Sequence, residues 1–444
     1  MGRRQGRRLP AEPVDVEIER LSHEGRGIAH HDGRVMFIQG ALPGEKVSAK
    51  ILKRRRQQDE GQALSVEQPA PDRVDPPCVH AGICGGCSLQ HMSVEAQLKH
   101  KSESLAELLS RVGQVSPNRW LPPLTGPTSG YRRRARLGAK FVPRKGDRVL
   151  VGFRERFARF IADIDRCEVL DVRVGERLSD LAGLIRSLDI PDRIAQIEVA
   201  AGDDEVGLVF RNLRPLSPTD RDKLIAFGKA HQILMFEQPG NEQTVAPVGH
   251  TQSLIHYSLP EFDLRLAFSP TDFTQINASI NRQMVHQAIE LLAVDPTHRV
   301  LDLFCGLGNF TLPIARQAAE VIGVEGADSL VERGQENALH NGIDNVKFTA
   351  ADLTDTNSQP LQSFGKIDRV LLDPPRSGAL EVLPAVAALG AERIVYVSCG
   401  PATFARDAGE LVHTHGYRLE AVGVMDMFPH TSHAEAMGLF VRSA

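Results

Sequence analysis

The spacing of apolar positions changes along this chain, and each change predicts a different kind of element. In the first seventy residues VDVEIERL alternates apolar and charged residues, and VMFI and KVSAKIL are short apolar runs separated by glycine-containing turns. Alternation suits half-buried strands, and many short strands with glycine turns predict a small β-barrel over residues 12–70. From Ser93 the period lengthens. Val94, Leu98, Leu105, Leu108, Leu109 and Val112 fall at helical spacing behind a serine suited to the N-cap, which predicts an amphipathic helix over 93–112. Residues 169–266 alternate strand-like runs with one or two helices, completing a central α+β domain over 71–267.

The last stretch has a third rhythm. VLDLF, VIGVE, NVKFTA, KIDRVLLD and RIVYVS are buried-strand runs alternating with helical patterns, the order of repeated βα units. This predicts a Rossmann-like α/β domain over 268–444, with a final hairpin returning to the sheet edge. Ligands of such sheets bind beyond the carboxyl ends of the strands. The chemistry-bearing residues stand there. CGLGNFT follows the first strand, so Gly306 and Gly308 allow close backbone approach, with Phe304 and Asn309 flanking them. Glu325 closes the second strand, where an acid accepts ribose hydroxyls. A G-L-G-N turn, unlike G-x-G-x-x-G, favours S-adenosylmethionine over a dinucleotide, whose pyrophosphate needs cradling. Asp352 ends the third strand as an adenine-side contact, and Asp373 ends the fourth before Pro374-Pro375-Arg376. Cys399 ends the fifth, just before a Gly-Pro break. Taken alone, such a thiol is as well read as a small buried hydrophobe. Cys305 is expected only to pack in its turn.

Composition narrows the class. The 444 residues are 42% hydrophobic and 24% charged, as in a chain able to bury real cores. No apolar run approaches the length of a transmembrane helix. The basic start MGRRQGRRLPAEP lacks a signal-like apolar core, so residues 1–11 are expected to form a disordered basic arm. A cytoplasmic monomer is expected. The net charge of −4 hides an uneven distribution: residues 131–160 carry eleven Lys/Arg against two acidic residues, and 1–60 carry thirteen against nine. A phosphate-binding surface fits that concentration. Arg132, Arg134 and Arg136 alternate along one predicted strand and so share a face, where guanidiniums can fork onto phosphates. The run Lys53-Arg54-Arg55-Arg56 is expected at the exposed end of the barrel.

Three of the six cysteines, Cys78, Cys84 and Cys87, fall within ten residues with Gly85 and Gly86 between the last two. Thiolates so close suit one soft metal centre in a reducing compartment. An iron–sulfur cluster completed by Cys167, or a zinc site completed by His80 or His91, both satisfy the spacing.

Taken together, FSPTDFTQIN, DLFCGLGNF, DPPR, SCGP and FPHTSHAE occur in an order that resembles the RNA uracil-5-methyltransferases, over about 268–444. Most of the fifty-odd residues from Val14 to about Gln68 resemble the TRAM domain, an RNA-binding barrel, and the cysteine spacing resembles the [4Fe–4S] site of the members acting on ribosomal RNA. The resemblance implies methyl transfer from S-adenosylmethionine to carbon 5 of one uridine in 23S rRNA. It implies Cys399 as the nucleophile that adds to carbon 6, Glu435 as the base that removes the carbon 5 proton, and Gln275 at the cofactor and substrate pocket; His433, on the same final segment, is the next candidate for the base. It also implies a [4Fe–4S] cluster on Cys78, Cys84, Cys87 and Cys167. The subgroup acting on transfer RNA is expected to lack both barrel and cluster. Gly400 departs from the family, which often has Asn there. A cytosine-5-methyltransferase and a non-catalytic ribosome-assembly factor are the rival readings.

Overall fold

The computed structural model describes residues 12–353 and 360–443. The expected basic arm over 1–11 lies outside the described residues. Contacts divide the chain into two compact units, one comprising the residues through Ser104 with Phe428–His433, the other Leu105–Met427 with Ala434–Ala444. The sequence boundaries at 70 and 267 do not coincide with this division.

The first unit is built on six strands: β1 (Val14–Glu17), β2 (Arg20–Leu21), β3 (Gly27–His31), β4 (Arg34–Gln39), β5 (Lys46–Arg54) and β6 (Gln58–Gln68). They form one sheet in the order β1-β5-β6-β4-β3-β2. The β3–β4 hairpin turns at Asp32-Gly33, both at positive φ (49° and 72°), the backbone a two-residue turn between twisted strands requires. Alternate side chains meet in a core of Val16, Ile18, Met36, Ile38, Val47 and Ile51 among others, which is the half-buried pattern visible in the sequence. Half of the expected cationic run is committed. Arg54 and Arg34 converge on the buried Asp59 at 3.0 and 2.8 Å, and Arg55 pairs with Glu60 at 2.6 Å. Burial would raise the Asp59 carboxyl, but the two guanidiniums hold it below its ordinary value.

Helix Val94–Leu108 begins as expected, with Ser93 Oγ accepting from Ala96 N at 3.3 Å. Its buried face is not purely apolar. Gln97 and Lys101 are 0% and 1% exposed, whereas Val112, expected in the core, is 50% exposed in a π-turn over Leu109–Gly113. The buried polar groups have an evident use: they hold Phe428–His433. Lys101 Nζ donates to Phe428 O (3.0 Å), His430 N donates to Gln97 Oε1 (2.8 Å), and Ser88 N and Leu89 N both donate to His430 O (2.9 Å). A buried strap with no strand partner must find its hydrogen bonds in side chains and loops.

The second unit opens with a short strand, β7 (Arg119–Trp120). A six-stranded sheet follows, from β8 (Arg134–Val142), β9 (Arg148–Gly152), β10 (Ile194–Ala201), β11 (Val206–Asn212), β12 (Leu234–Glu237) and β13 (Ala246–Pro247). A hairpin pairs β14 (Ile255–Leu259) with β15 (Leu264–Phe268). The last sheet uses β16 (Arg299–Leu303), β17 (Glu320–Glu325), β18 (Val346–Ala350), β19 (Arg369–Leu372), β20 (Arg393–Ser398), β21 (Tyr417–Met425) and β22 (Glu435–Arg442). Its order is β18-β17-β16-β19-β20-β22-β21-β7. The first five strands are parallel and their central members buried on both faces, as continuous apolar runs demand. The final hairpin corrects the expectation that it closes the sheet edge. β22 inserts between β20 and β21, antiparallel to both, and the edge is taken by the remote β7. Helix Pro401–His413 packs on the π-turn backbone to backbone. A Cβ at Gly113 would collide with Ala405 O, and one at Gly409 would stand 2.7 Å from Gly113 O. Among the described residues, no helix is long and apolar enough to cross a membrane.

Candidate active site

Parallel strands deliver their following residues to one end of the sheet, and here four of them do so side by side. Phe304 follows β16, Glu325 ends β17, Asp373 follows β19 and Cys399 follows β20. Because β22 runs antiparallel, its first residue reaches the same end. The register pairs Ser398 with Ala436, which brings Glu435 level with Cys399. Two residues far apart in sequence thus become neighbours through strand pairing.

Phe304 adopts φ 63°, a left-handed backbone that costs a non-glycine residue about 1–3 kcal/mol and concentrates at ligand sites. Gly306 and Gly308 continue the turn at φ 54° and 98°. Glu325 fixes it from across the cleft: its carboxylate accepts from Gly306 N (3.0 Å), Gly326 N (2.9 Å) and Ala327 N (3.2 Å). Asn309 is more enclosed than a simple ligand. Its Oδ1 accepts from Tyr257 OH and from Asn281 Nδ2, and its Nδ2 donates to Asn281 Oδ1, all at 2.9 Å. Asp352 is exposed two residues past β18. Gln275 reaches Asp373, with Nε2 donating to Oδ2 at 3.4 Å.

The site is rich in acids and short of cations. Burial, then the nearby charges of Glu435 and Glu325, push the Asp373 carboxyl up to about 8. The Cys399 thiol is half-buried and is also raised, by burial first, then by Glu435 and Asp373, with Arg376 opposing. A thiol so placed rests protonated and needs its proton removed before it can attack carbon. Cys305 is buried and its thiol raised well above the ordinary range, mainly by burial, which agrees with a packing role. Gly400 opens helix Pro401–His413; a Cβ there would stand 2.7 Å from Thr403 Oγ1 and 3.1 Å from Arg376 O, so this chain leaves no slack for a larger residue.

Asp302, in the middle of VLDLF, was not singled out from sequence. It is fully buried at the end of β16 below the Gly306–Gly308 turn, accepts from Thr311 Oγ1 at 2.6 Å, has an Oδ1 without a partner among the described residues, and is pushed up to about 8 by burial, Asp373 and Glu325. A lone acid inside an otherwise apolar strand was the available signal. Tyr257 and Asn281 had none; only the fold brings them to Asn309.

The arginine row is corrected by the structure. Arg134 and Arg136 do alternate on β8, but Arg132 precedes the strand. Arg134 donates to Pro270 O and is largely desolvated, Arg136 pairs with Glu198 at 3.0 Å, and Arg132 lies over the Phe153 ring at 5.1 Å. They do not form a row of free cations. His433 is exposed, with its ring 5.6 Å from that of Phe428.

Cys78, Cys84 and Cys87 lie on one loop of the first unit, and Cys167 belongs to the second; none of the four is in a disulfide. The loop is wound by Ala81 N to Cys78 O and Cys84 N to His80 O, and Gly86 N donates to Cys84 Sγ at 3.4 Å. Cysteines outside any disulfide, one of them with a backbone N–H aimed at its sulfur, fit a soft metal centre. Among the described residues, no three metal-capable side chains are gathered at ligand distance.

Comparison with known proteins gives a consistent picture. Residues 258–443 match the model for tRNA (Uracil-5-)-methyltransferase, and residues 7–64 match the TRAM domain. The chain is 60% identical to the 23S rRNA (uracil(1939)-C(5))-methyltransferase RlmD of Alkalilimnicola ehrlichii, covering all of both chains. It is 51% identical to the same-named protein of Alcanivorax borkumensis, over 98% of each. The crystal structure of Pyrococcus abyssi tRNA (uracil-54, C5)-methyltransferase in complex with S-adenosyl-L-homocysteine superposes with a TM-score of 0.74 at 23% identity, over 96% of this chain and 99% of that one. A transfer-RNA enzyme therefore shares the architecture almost end to end, against the expectation that such enzymes lack the first domain.

Proposed function

This chain belongs to the RNA uracil-5-methyltransferase family, and from that premise we propose that it transfers a methyl group from S-adenosylmethionine to carbon 5 of a single uridine in 23S rRNA. The choice of ribosomal over transfer RNA rests on full-length identity of 60%, since the fold is common to both. The choice of covalent chemistry rests on one geometric observation, the β20–β22 register that sets Glu435 level with Cys399.

Carbon 5 of uracil is a poor nucleophile. The Cys399 thiolate adds to carbon 6, the ring becomes an enolate, and carbon 5 takes the methyl group as the S–CH3 bond breaks, releasing S-adenosylhomocysteine. Glu435 then takes the carbon 5 proton, the ring double bond re-forms and Cys399 leaves as thiolate. Glu325, Phe304 and the Gly306–Gly308 turn bind the cofactor, with Asp352 at its adenine side; Asn309 acts by fixing the turn. Gln275 and Asp373 form the wall shared with the base. To reach Cys399 and Glu435 at the end of the sheet, the base has to leave its stack.

Cys78, Cys84, Cys87 and Cys167 are the residues that would hold a [4Fe–4S] cluster; it supplies no step in this scheme. Of the arginine row, the exposed Arg136, although paired with Glu198, is the member proposed to contact RNA. Mapping of 5-methyluridine in 23S rRNA from cells lacking this protein tests the function. One position should lose the modification and regain it on complementation. Unchanged 23S rRNA, with loss in transfer RNA, would overturn the substrate.

A further inference from the structure

The hairpin that follows β9 carries an unusual tip. The segment Phe153–Ala162 folds back on itself through Glu155 N to Phe160 O (2.8 Å), Ala162 N to Phe153 O (2.9 Å) and an Arg154–Ile161 bridge. The turn is thus a built element. At its end two large aromatic side chains face solvent, Phe157 at 47% and Phe160 at 72% exposure. Neither ring stacks on another ring or on a cation among the described residues. Arg154 and Arg159 are exposed beside them, and neither has an ion pair or side-chain hydrogen bond among the described residues. These are the free cations that the Arg132–Arg136 row does not supply.

Exposed phenylalanine is costly in water, since each ring leaves its apolar area uncovered. A core or a crossing helix would cover it with aliphatic residues. Here the rings are interleaved with guanidiniums in the order Arg154, Phe157, Arg159, Phe160, within a stretch of eleven basic and two acidic residues. Aromatic faces stack on unpaired bases and guanidiniums meet phosphates, so this pairing fits single-stranded nucleic acid. A duplex, whose bases already stack on each other, offers nothing to the rings. A protein surface complementary to the tip would have to be both apolar and acidic.

We propose that the Arg154–Phe160 tip is a second RNA contact, apart from the target-uridine pocket, in which Phe157 and Phe160 stack on unstacked bases and Arg154 and Arg159 hold their phosphates. The proposal rests on the reading of this chain as an RNA methyltransferase. It gives the enzyme a preference for RNA in which an unpaired stretch accompanies the target.

The test uses the full chain and fluorescently labelled RNA of about twenty nucleotides, as an unstructured single strand and as a duplex of the same sequence. Phe157→Ala/Phe160→Ala should weaken single-strand binding about tenfold or more, without altering its salt slope, and should leave duplex binding unchanged. Arg154→Gln/Arg159→Gln should reduce the slope of log K against log salt by about 1.4, the value for two contacts on a single strand. S-adenosylmethionine affinity and thermal unfolding should match the parent in both. Wild-type single-strand affinity in the phenylalanine variant overturns the proposal, as does an equal loss on single strand and duplex. Unchanged RNA affinity with weakened binding to protein-covered ribosomal particles would overturn it in favour of a protein partner. Failure of the unmodified chain to bind either RNA would instead count against the proposed function.

Discussion

At the residue scale, the site turns on the charge balance between Cys399 and Glu435. In the proposed cycle the two act at opposite ends, so loss of the second should strand the product of the first. Glu435→Gln, given substrate RNA and S-adenosylmethionine, should accumulate a methylated RNA–protein adduct that survives a denaturing gel, whereas Cys399→Ala should form none. The same Glu435→Gln change removes a negative charge that raises the Cys399 thiol. Peptide mass spectrometry should therefore find Cys399 alkylated faster at neutral pH in the variant than in the parent, with Cys305 unlabelled in both. Asp302 yields a separate pH effect. Its folded carboxyl is raised to about 8 from 3.8, so the fold holds a proton that the unfolded chain releases. That contribution is complete below about pH 4 and is lost as pH rises toward about 8. Asp302→Asn keeps an acceptor for Thr311 and cannot ionise. Its thermal midpoint should fall less than that of the parent between pH 5 and 8, as calorimetry would show.

At the element scale, the β14–β15 hairpin is fastened by a helix instead of a third strand. On helix Asp328–His340, Asn337 accepts from Ala267 N (2.8 Å) and donates to Ala267 O (3.1 Å); just past its end, Asn341 does the same for Arg265 N and O, both at 2.9 Å. Carboxamides four apart on a helix match strand residues two apart, because both repeats present one face. Asn337 also donates to Leu307 O in the Gly306–Gly308 turn at 3.3 Å and is 1% exposed. Asn337→Ala orphans a buried donor and two acceptors, which predicts a loss of about 1–3 kcal/mol in urea unfolding. It should also weaken S-adenosylmethionine binding. Asn341→Ala, nearer the surface, should cost less and leave cofactor affinity alone.

At the scale of the whole molecule, the architecture is shared with an enzyme of different RNA substrate, so specificity must come from surface residues laid on a common frame. The net charge of −4 does not describe the RNA-facing surface, because local excess and ion pairing decide which cations remain free. For the proposed cluster on Cys78, Cys84, Cys87 and Cys167, anaerobically purified protein should contain about four irons and absorb broadly near ~400 nm. Cys167→Ser should lower the iron content even though it stands eighty residues from Cys87 in the chain. Stoichiometric zinc without iron would replace the cluster with a zinc site.

Sequence alone determined the periodic elements and their order. VLDLF, VIGVE and RIVYVS are strands because uniformly apolar β-branched runs must be buried on both faces, and the residues closing them had to line one cleft. Glu325, Asp373 and Cys399 were legible for that reason. What sequence spacing could not carry was pairing between distant segments. The insertion of β22 between β20 and β21, which sets Glu435 beside Cys399, depends on hydrogen-bond register across the sheet. The same holds for Tyr257 and Asn281 closing on Asn309, and for Gln97 and Lys101 burying their polar ends on the Phe428–His433 strap. Charge was the least legible property: Arg134 and Arg54 look like surface cations in the sequence, but the fold turns one onto Pro270 O and the other onto Asp59. A side chain's type states what bonds it can make, and only tertiary structure decides with whom.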